Sequence, residues 1–166
     1  MTEIPFEPPL VLHRETVRSE WIDYNGHMNV AYYVMAFDHA TDTLFDTLGI
    51  GAAYCRRENR SVFAVEQHIA YKRELTDGQR LVVSSHLIGF DDKRLHFFQR
   101  MAPEGGGYLA ATMESLGVHV DMAARRAAPF PAEAREALAR LHAQHADIAR
   151  PAEAGRAMRP VGPQAA

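Results

Sequence analysis

A carboxylate, two amides, an imidazole and a glycine stand within the seven consecutive residues 23–29, whose sequence is DYNGHMN. Asp23 and His27 are the titratable members of this segment, so they are the side chains that could activate a water molecule or move its proton. Gly26 lies between them, and a glycine lets a ligand approach the backbone closely. The segment therefore predicts a site for acid–base chemistry.

The longest amphipathic helix predicted from the sequence follows this segment directly. From residue 30 onward, apolar residues recur at spacings of three and four, and Gly49 stands where a C-terminal cap belongs. The start of such a helix carries unpaired N–H groups and the positive end of the helix dipole. A carbonyl oxygen that gains negative charge would be stabilised there. The backbone amides from Met28 to Val30 are the candidate donors.

The same residues also have a purely structural interpretation. Asp23 and Asn25 could do no more than form an Asx turn, in which a short polar side chain bonds the backbone two residues on. Asn29 is of the type that caps helices, and capping is its favoured role. The spacing alone does not separate this interpretation from catalysis.

Composition limits the broad class of the protein. A chain of 166 residues with 47% hydrophobic and 23% charged residues predicts a single globular domain, which we place at residues 1–150. A net charge of −3 argues against nucleic-acid or membrane-surface partners. The chain has a single cysteine, Cys55, and no secretory or transmembrane pattern is found, so we expect a cytoplasmic protein.

The remaining pattern predicts a strand before the site segment and four strands after the helix. We place the first strand at residues 10–17, a polar connection at 51–60, and the later strands at 62–75, 80–90, 94–101 and 108–121. Short turns between the four later strands predict an antiparallel meander, and the whole predicts an α+β fold with its sheet curled around the helix. Pro129 and Pro131 open a final surface helix, and residues 151–166 read as a disordered tail.

The order of these elements, and the polar residues at alternate positions of the site segment, resemble the hotdog-fold acyl-CoA thioesterases of the 4-hydroxybenzoyl-CoA thioesterase-like superfamily. The resemblance covers roughly residues 10 to 130 and rests most on Asp23, Asn25, His27 and Asn29. It implies a curved antiparallel sheet around a central helix, hydrolysis of an acyl-CoA, no cofactor, and a homodimer or homotetramer. It also implies that Asn25 and His27 position the water or the carbonyl for Asp23, which acts as base or nucleophile.

Three further segments resemble a narrower bacterial group, the betainyl-CoA thioesterases associated with carnitine degradation. They are residues 63–68 (FAVEQH), 92–96 (DKRLH) and 119–121 (HVD). A substrate with a quaternary ammonium group would call for aromatic faces around it. The aromatic residues near the site segment are Trp21, Tyr24, Tyr32 and Tyr33, although tyrosines on a helix are more often part of the core.

Glu66 and His68 alternate on one face of the second predicted strand. In hotdog proteins the matching strand lies near the ligand site at a subunit interface, so Glu66 is a candidate catalytic residue and His68 a candidate for substrate binding. A salt bridge explains Glu66 equally well. Residues 69–74 (IAYKRE) resemble the strand that follows in plant acyl-carrier-protein thioesterases, where the acidic residue matching Glu74 has been given a catalytic part. Glu114, in the last predicted strand, is mentioned beside it with no role assigned.

Phosphate groups of CoA need cations. The paired basic residues near predicted turns and strand ends are Lys93 with Arg94, and Arg125 with Arg126. A solvated charged surface is the default interpretation of such residues.

No metal site is predicted. His142 and His145 have helical ligand spacing, but no cysteine or carboxylate completes a set, and thioester hydrolysis needs no metal. Cys55 lacks a recognisable base partner, so a cysteine nucleophile is not expected. Two other functions remain open: hydration or dehydration of an acyl-CoA, and non-catalytic acyl-CoA binding.

Overall fold

The computed structural model describes residues 6–158 and Gly162. The strands are β1 (Val11–Thr16), β2 (Arg60–Tyr71), β3 (Arg80–Phe90), β4 (Arg94–Pro103), β5 (Ala111–Asp121) and β6 (Arg126–Ala127). The helices are α1 (Val30–Thr47), α2 (Ala52–Glu58) and α3 (Ala132–Gln144), and a short 3-10 helix spans Ser19–Trp21.

All strand pairs are antiparallel, and the strands lie in the order β1-β3-β4-β5-β2, with β6 paired to the far end of β5. The inner face of the sheet buries α1, so that Phe37 and Leu44 of the helix share one apolar cluster with Val83 and Phe97 of the strands. The predicted α+β hotdog arrangement, a curved sheet around one long helix with an extra C-terminal helix, is confirmed.

The limits of α1 follow from its caps. Asn29 precedes the helix, and its side-chain oxygen accepts a hydrogen bond of 3.0 Å from the backbone N–H of Ala31. Gly49 ends it with a φ of 71°, a conformation that costs glycine nothing. Both caps were predicted. Within the described part of the chain, neither α1 nor any other helix has the length and hydropathy needed to cross a lipid bilayer.

The predicted meander of four strands is wrong for its first member. β2 pairs with β5 rather than with β3, so only β3, β4 and β5 form a meander. After Tyr71 the chain leaves the sheet, and residues 72–79 pack against α1 and the site segment. Leu75 in this crossing segment is fully buried and hydrogen-bonds both Tyr33 of α1 and Met28 of the site segment.

The predicted polar connection at residues 51–60 contains the helix α2 instead. Its pattern was missed because the helix has only seven residues and buries a single one, Tyr54. The hydroxyl of Tyr54 lies 2.9 Å from Nε2 of His119, and Nδ1 of His119 lies 2.8 Å from the carbonyl oxygen of Ala128. The helix therefore packs on the end of β5.

The C-terminal helix α3 is more deeply packed than the surface helix that was predicted, since Leu138 and Leu141 belong to the main apolar cluster. Part of the predicted disordered tail has defined contacts. Residues 151–155 form turns, and the N–H of Gly155 donates a hydrogen bond of 2.7 Å to Glu114 of β5. Lys72 and Glu153 form an ion pair of 3.2 Å. Residues 156–158 and Gly162 are described as well, and the rest of the predicted tail lies outside the described residues.

Candidate functional site

The site segment begins with a tight turn. The N–H of Gly26 donates a hydrogen bond of 2.9 Å to the carbonyl of Asp23, and Gly26 has a φ of 81°. The N–H of Asp23 in turn donates to the carbonyl of His27 at 3.2 Å. The turn therefore presents four side chains, from Asp23 to His27, immediately before α1, and it needs the left-handed backbone that glycine adopts without strain.

Two hydrogen bonds hold the carboxylate of Asp23. One oxygen accepts from the backbone N–H of Asn25 at 2.8 Å, and the other accepts from the side-chain amide of Asn29 at 3.0 Å. The bond from Asn25 lowers the pKa of Asp23 most, the bond from Asn29 and the charge of His27 also lower it, and partial burial opposes them. The group is ionised at neutral pH, as a base or nucleophile must be.

The Asx turn and the helix cap suggested by the sequence are thus both present, and they are the means by which Asp23 is oriented. A carboxylate accepts up to about four hydrogen bonds, so two protein donors leave capacity for a water molecule. The structural interpretation and the catalytic one describe the same geometry.

Two of the three backbone amides predicted to hold an acyl oxygen already have partners. Met28 N–H donates to the carbonyl of Leu75 at 2.8 Å, and Asn29 N–H donates to the carbonyl of Trp21 at 2.9 Å. The N–H of Val30, the first residue of α1, has no hydrogen-bond partner among the described residues. The predicted set of donors therefore narrows to Val30, which stands where the helix dipole is most positive.

Two other side chains of the segment keep hydrogen-bonding capacity. Nδ1 of His27 is buried and forms no hydrogen bond with any described residue. The side chain of Asn25 is exposed, and its backbone N–H binds Asp23. These are the two residues expected to position water or a carbonyl.

The four aromatic residues near the segment differ in their availability. Trp21 is only 2% exposed, and its ring stacks on Tyr32 with 5.4 Å between centroids. Tyr33 is also buried, and its hydroxyl accepts from the N–H of Leu75 at 2.9 Å. Tyr24, in contrast, is 97% exposed. Of the predicted aromatic contacts, Trp21 and Tyr33 are core residues, and Tyr24 presents a free ring.

Glu66 and His68 lie on the outer face of the sheet, away from α1. A bulge at Val65 sets their register, with Glu66 opposite Leu116 and His68 opposite Glu114. They line a cavity of about 480 Å³ whose lining includes no residue of the site segment. Within one chain, therefore, the structure does not bring Glu66 or His68 to Asp23.

The same cavity contains a residue pair that the sequence did not single out. Nε2 of His96 lies 2.7 Å from a carboxylate oxygen of Glu114, and the second oxygen of Glu114 binds the Gly155 N–H. In the register of β4 against β5, His96 lies opposite Leu116. Glu114 is two residues from Leu116 on the same face of β5, so its side chain meets that of His96. Only knowledge of that register could have revealed the pair. The other weak candidate, Glu74, is exposed, and its carbonyl accepts from the Tyr108 hydroxyl at 2.9 Å.

Of the basic residues proposed for phosphate binding, Lys93 and Arg94 lie at the β3–β4 turn. Arg94 is held by Asp91, with a hydrogen bond of 2.7 Å from its Nε, and this bond is the main reason that the pKa of Asp91 falls to about 2. Lys93 is exposed. Arg125 and Arg126 are exposed at and beside β6. Lys93 is thus better placed than Arg94 to meet a phosphate.

One edge of the sheet and the start of α1 expose apolar side chains. β2 is the last strand of the sheet, with β5 as its only partner among the described strands. The large apolar side chains exposed by 39% to 57% along this edge and on the nearby helix face are Val30, Val34, Phe63, Val65 and Tyr71. The rings of Tyr33 and Tyr71, 5.4 Å apart at their centroids, connect the two surfaces. An unpaired, apolar strand edge is a surface that a second protein chain can cover.

Comparison with known proteins gives a consistent result. The family model of the thioesterase-like superfamily matches residues 17–138. A betainyl-CoA thioesterase from Pseudomonas aeruginosa is 37% identical over 136 residues, which cover 80% of this chain and 86% of that protein. An L-carnitine dehydrogenase/betainyl-CoA thioesterase from Rhizobium meliloti is 36% identical over 148 residues, which cover 89% of this chain. That protein is much longer, and the match spans only 30% of its length.

Among solved structures, a hypothetical protein from Staphylococcus aureus in complex with CoA superposes with a TM-score of 0.85. It is 28% identical, and the match covers 92% of this chain and 96% of that one.

Proposed function

The chain belongs to the thioesterase-like superfamily, and we propose that it hydrolyses a small acyl-CoA thioester to the free acid and CoA. The observation that supports this most is the ionised carboxylate of Asp23, held by Asn25 and Asn29 directly before the start of α1. We assign the reaction to the cytoplasm, where the free thiol of Cys55 stays reduced.

In the proposed mechanism Asp23 acts as general base. It takes a proton from a water molecule, whose oxygen attacks the thioester carbon. The carbonyl oxygen becomes an oxyanion and is stabilised by the N–H of Val30 at the positive end of α1. When the intermediate collapses, the C–S bond breaks and the CoA sulfur leaves with the proton that Asp23 had taken. Asn25 and His27 position the water and the carbonyl.

We propose betainyl-CoA as the substrate. Support comes from the Pseudomonas aeruginosa relative, a betainyl-CoA thioesterase that aligns with this chain over most of its own length. The acyl group of betainyl-CoA ends in a trimethylammonium, a cation that binds the face of an aromatic ring. Tyr24 has the exposed ring that such a group needs, one residue after the proposed base.

The CoA moiety would be bound through its phosphates and by shape. The Staphylococcus aureus protein of the same fold was solved with CoA, which supports a CoA site here. We propose Lys93 as the cation that contacts a phosphate, because Arg94 is already paired with Asp91. A lysine on a turn can move toward an anion at little cost.

We propose further that two copies of the chain associate through β2. The exposed Phe63 and Val65 lie on that edge strand, and a dimer would bury both. Glu66 and His68 belong to the same strand, so in this arrangement they approach the second copy rather than Asp23 of their own chain. That is the position from which Glu66 can assist the reaction across the interface.

The test is a panel of purified acyl-CoA thioesters with short, branched, aromatic and quaternary-ammonium acyl groups. Release of the thiol, followed with a disulfide dye, reports hydrolysis, and we expect betainyl-CoA to be among the best substrates. Asp23→Asn should lower kcat by a factor on the order of one hundred or more. The matched control Asp147→Asn, at an exposed carboxylate far along the chain, should keep the parental rate.

Other outcomes identify other functions. Hydration or dehydration changes the acyl chain but leaves the thioester intact, so mass spectrometry would find an acyl-CoA altered by the mass of water. Tight binding of CoA esters without any turnover would instead indicate a binding module. Either result overturns the proposed hydrolysis.

A further inference from the structure

Two histidines and a glutamate converge between β1 and α1, outside the site described above. His13 and Glu15 occupy alternate positions of β1, so they share the face of the strand that looks onto α1, and His39 comes from the helix. Nδ1 of His39 lies 3.1 Å from one oxygen of Glu15, and Nε2 of His13 lies 3.4 Å from the other. One nitrogen or oxygen atom from each of the three side chains lies within 4.8 Å of the others.

A hydrogen bond to Thr43 holds the ring of His13 through Nδ1. The hydroxyl of Thr43 donates its only hydrogen to the carbonyl of His39 at 3.1 Å. The same hydroxyl lies 2.9 Å from Nδ1 of His13, and in the arrangement in which it donates to His39 it accepts from Nδ1. In the neutral ring, Nε2 then has a lone pair.

That lone pair faces a carboxylate oxygen. Nε2 of His13 is buried and has no hydrogen-bond partner among the described residues, although Glu15 is only 3.4 Å away. Two lone pairs at this distance repel each other unless a positive charge lies between them. A cation bound by both atoms supplies that charge.

We propose that His13, Glu15 and His39 bind a divalent transition-metal ion, with Zn²⁺ as the best match. Two imidazoles and one carboxylate are ligands that Zn²⁺ prefers, and Zn–N and Zn–O bonds of about 2.0–2.1 Å place tetrahedral ligands roughly 3.3 Å apart. Oε1 of Glu15 lies 3.3 Å from Nδ1 of His39 and 3.4 Å from Nε2 of His13, and both separations fit that value. Water completes the fourth position, and Thr43 orients His13 as an outer partner of a metal ligand does.

The charge around this site favours a cation. α1 contains three aspartates and neither lysine nor arginine. Asp38, Asp42 and Asp46 recur every four residues, and burial together with the charges of Asp38 and Asp46 raises the pKa of Asp42. A divalent ion beside His39 would offset part of this repulsion.

The site is reachable and distinct from the proposed catalytic centre. The side chains of His13, Glu15 and His39 keep 21%, 14% and 38% of their surface exposed, so an ion can enter from solvent. His39 lies ten residues beyond the Asn29 cap, which is about 15 Å along a helix. The ion would connect β1 to α1 and take no part in thioester hydrolysis.

The experiment is isothermal titration of the chelator-treated, full-length protein with ZnCl₂ at neutral pH, paired with thermal unfolding. We expect one ion per chain bound with micromolar or tighter affinity, and a higher Tm with Zn²⁺ than without it. Binding should weaken at least tenfold in His13→Gln, in His39→Gln and in Glu15→Gln. Three separate variants keep the test valid if one of them fails to fold.

His142→Gln, at an exposed histidine on α3, is the matched control and should bind like the parent. The proposal is overturned if the parent binds no Zn²⁺ at neutral pH. It is equally overturned if all three ligand variants bind as the parent does, because the ion then lies elsewhere.

Discussion

The side chain of Asn29 joins the carboxylate of Asp23 to the cap of α1. Its amide nitrogen donates to Asp23 at 3.0 Å, while its oxygen accepts from the N–H of Ala31, also at 3.0 Å. Neither bond can shift without moving the other. The direction of the proposed base is therefore fixed relative to the helix axis, and so relative to the N–H of Val30.

Asn29→Asp separates these two roles. Aspartate caps a helix as well as asparagine does, so the cap is kept, and any loss of stability comes from the charge placed beside Asp23. The variant loses the donor to Asp23 and places a second negative charge beside it, which raises the pKa of Asp23. We expect a kcat reduced roughly tenfold and a pH–rate profile whose acid limb moves to higher pH.

The direction of this shift in the pH–rate profile follows from the pKa of Asp23 in the parental protein. Since the pKa of Asp23 is lowered from its usual 3.8, the parental base stays ionised down to that pH, and its acid limb lies below it. Asn29→Ala removes cap and donor together and should also cost about 1 kcal/mol of stability. An Asn29→Asp protein with parental kcat and profile would show that this bond has no catalytic role.

Gly26→Ala tests the turn that presents the site. A Cβ on Gly26 would meet no atom within 4 Å, so its φ of 81° is the only obstacle. The left-handed conformation costs an alanine about 1–2 kcal/mol, and we expect chemical denaturation to show this loss together with a reduced kcat. Gly89→Ala, equally uncrowded but without a positive φ, is the control and should stay within about 0.5 kcal/mol of the parent. Equal effects of the two changes would contradict this explanation.

The sequence was most informative where structure is local. The caps of α1 depend on Asn29 and Gly49 themselves, so residue type and spacing were enough to predict them. The site segment was found for the same reason, because the hydrogen bonds that hold the carboxylate of Asp23 connect residues no more than six positions apart.

Long-range pairings could not be predicted in the same way. Nothing in residues 62–75 shows that β2 skips β3 and pairs with β5, since both partners present similar strands. The grouping of His13 and Glu15 on one strand face is visible as a two-residue spacing, yet the contribution of His39 depends on how α1 crosses β1. The placement of Glu66 on the outer face of the sheet required the bulge at Val65.

Tyr24 should confer selectivity for a cationic acyl group. An exposed cation–π contact contributes about 0.5–1 kcal/mol, so Tyr24→Ala should lower kcat/KM for betainyl-CoA roughly twofold to fivefold. The matched probe is tert-butylacetyl-CoA, which has the same shape and no charge, and its kcat/KM should change little. Tyr24→Phe keeps the aromatic face and should behave like the parent. Equal losses on both substrates would show that the ring acts through shape alone.

Val65→Lys should separate the proposed dimer. Val65 is 56% exposed at the bulge of the edge strand, and two lysines facing each other there would repel and remain solvated. Sedimentation velocity should find a dimer for the parent and a monomer for the variant, with thioesterase activity falling alongside. Ala139→Lys, on the exposed side of α3, is the control and should remain dimeric. A monomeric and active parent would exclude association through β2.

Stability should fall as the medium becomes mildly acidic, because of a buried pair of histidines. His86 is 5% exposed, and its ring lies against that of His145 with 5.3 Å between centroids. Burial, and next the neighbouring His145, lower the pKa of His86 from 6.5 to about 4. Nδ1 of His145 accepts from the N–H of Leu87 at 3.0 Å, and burial lowers the pKa of His145 too.

For a base whose folded pKa is lowered, the unfolded chain binds more protons than the native one between the two values. The stabilising contribution of His86 is therefore complete above about pH 6.5 and is lost as pH falls toward 4. Urea denaturation should report a loss of about 2 kcal/mol between pH 7.5 and pH 5 from this residue. His86→Phe should flatten that dependence, whereas His68→Gln should retain it, and an unchanged slope in His86→Phe would assign the effect to other groups.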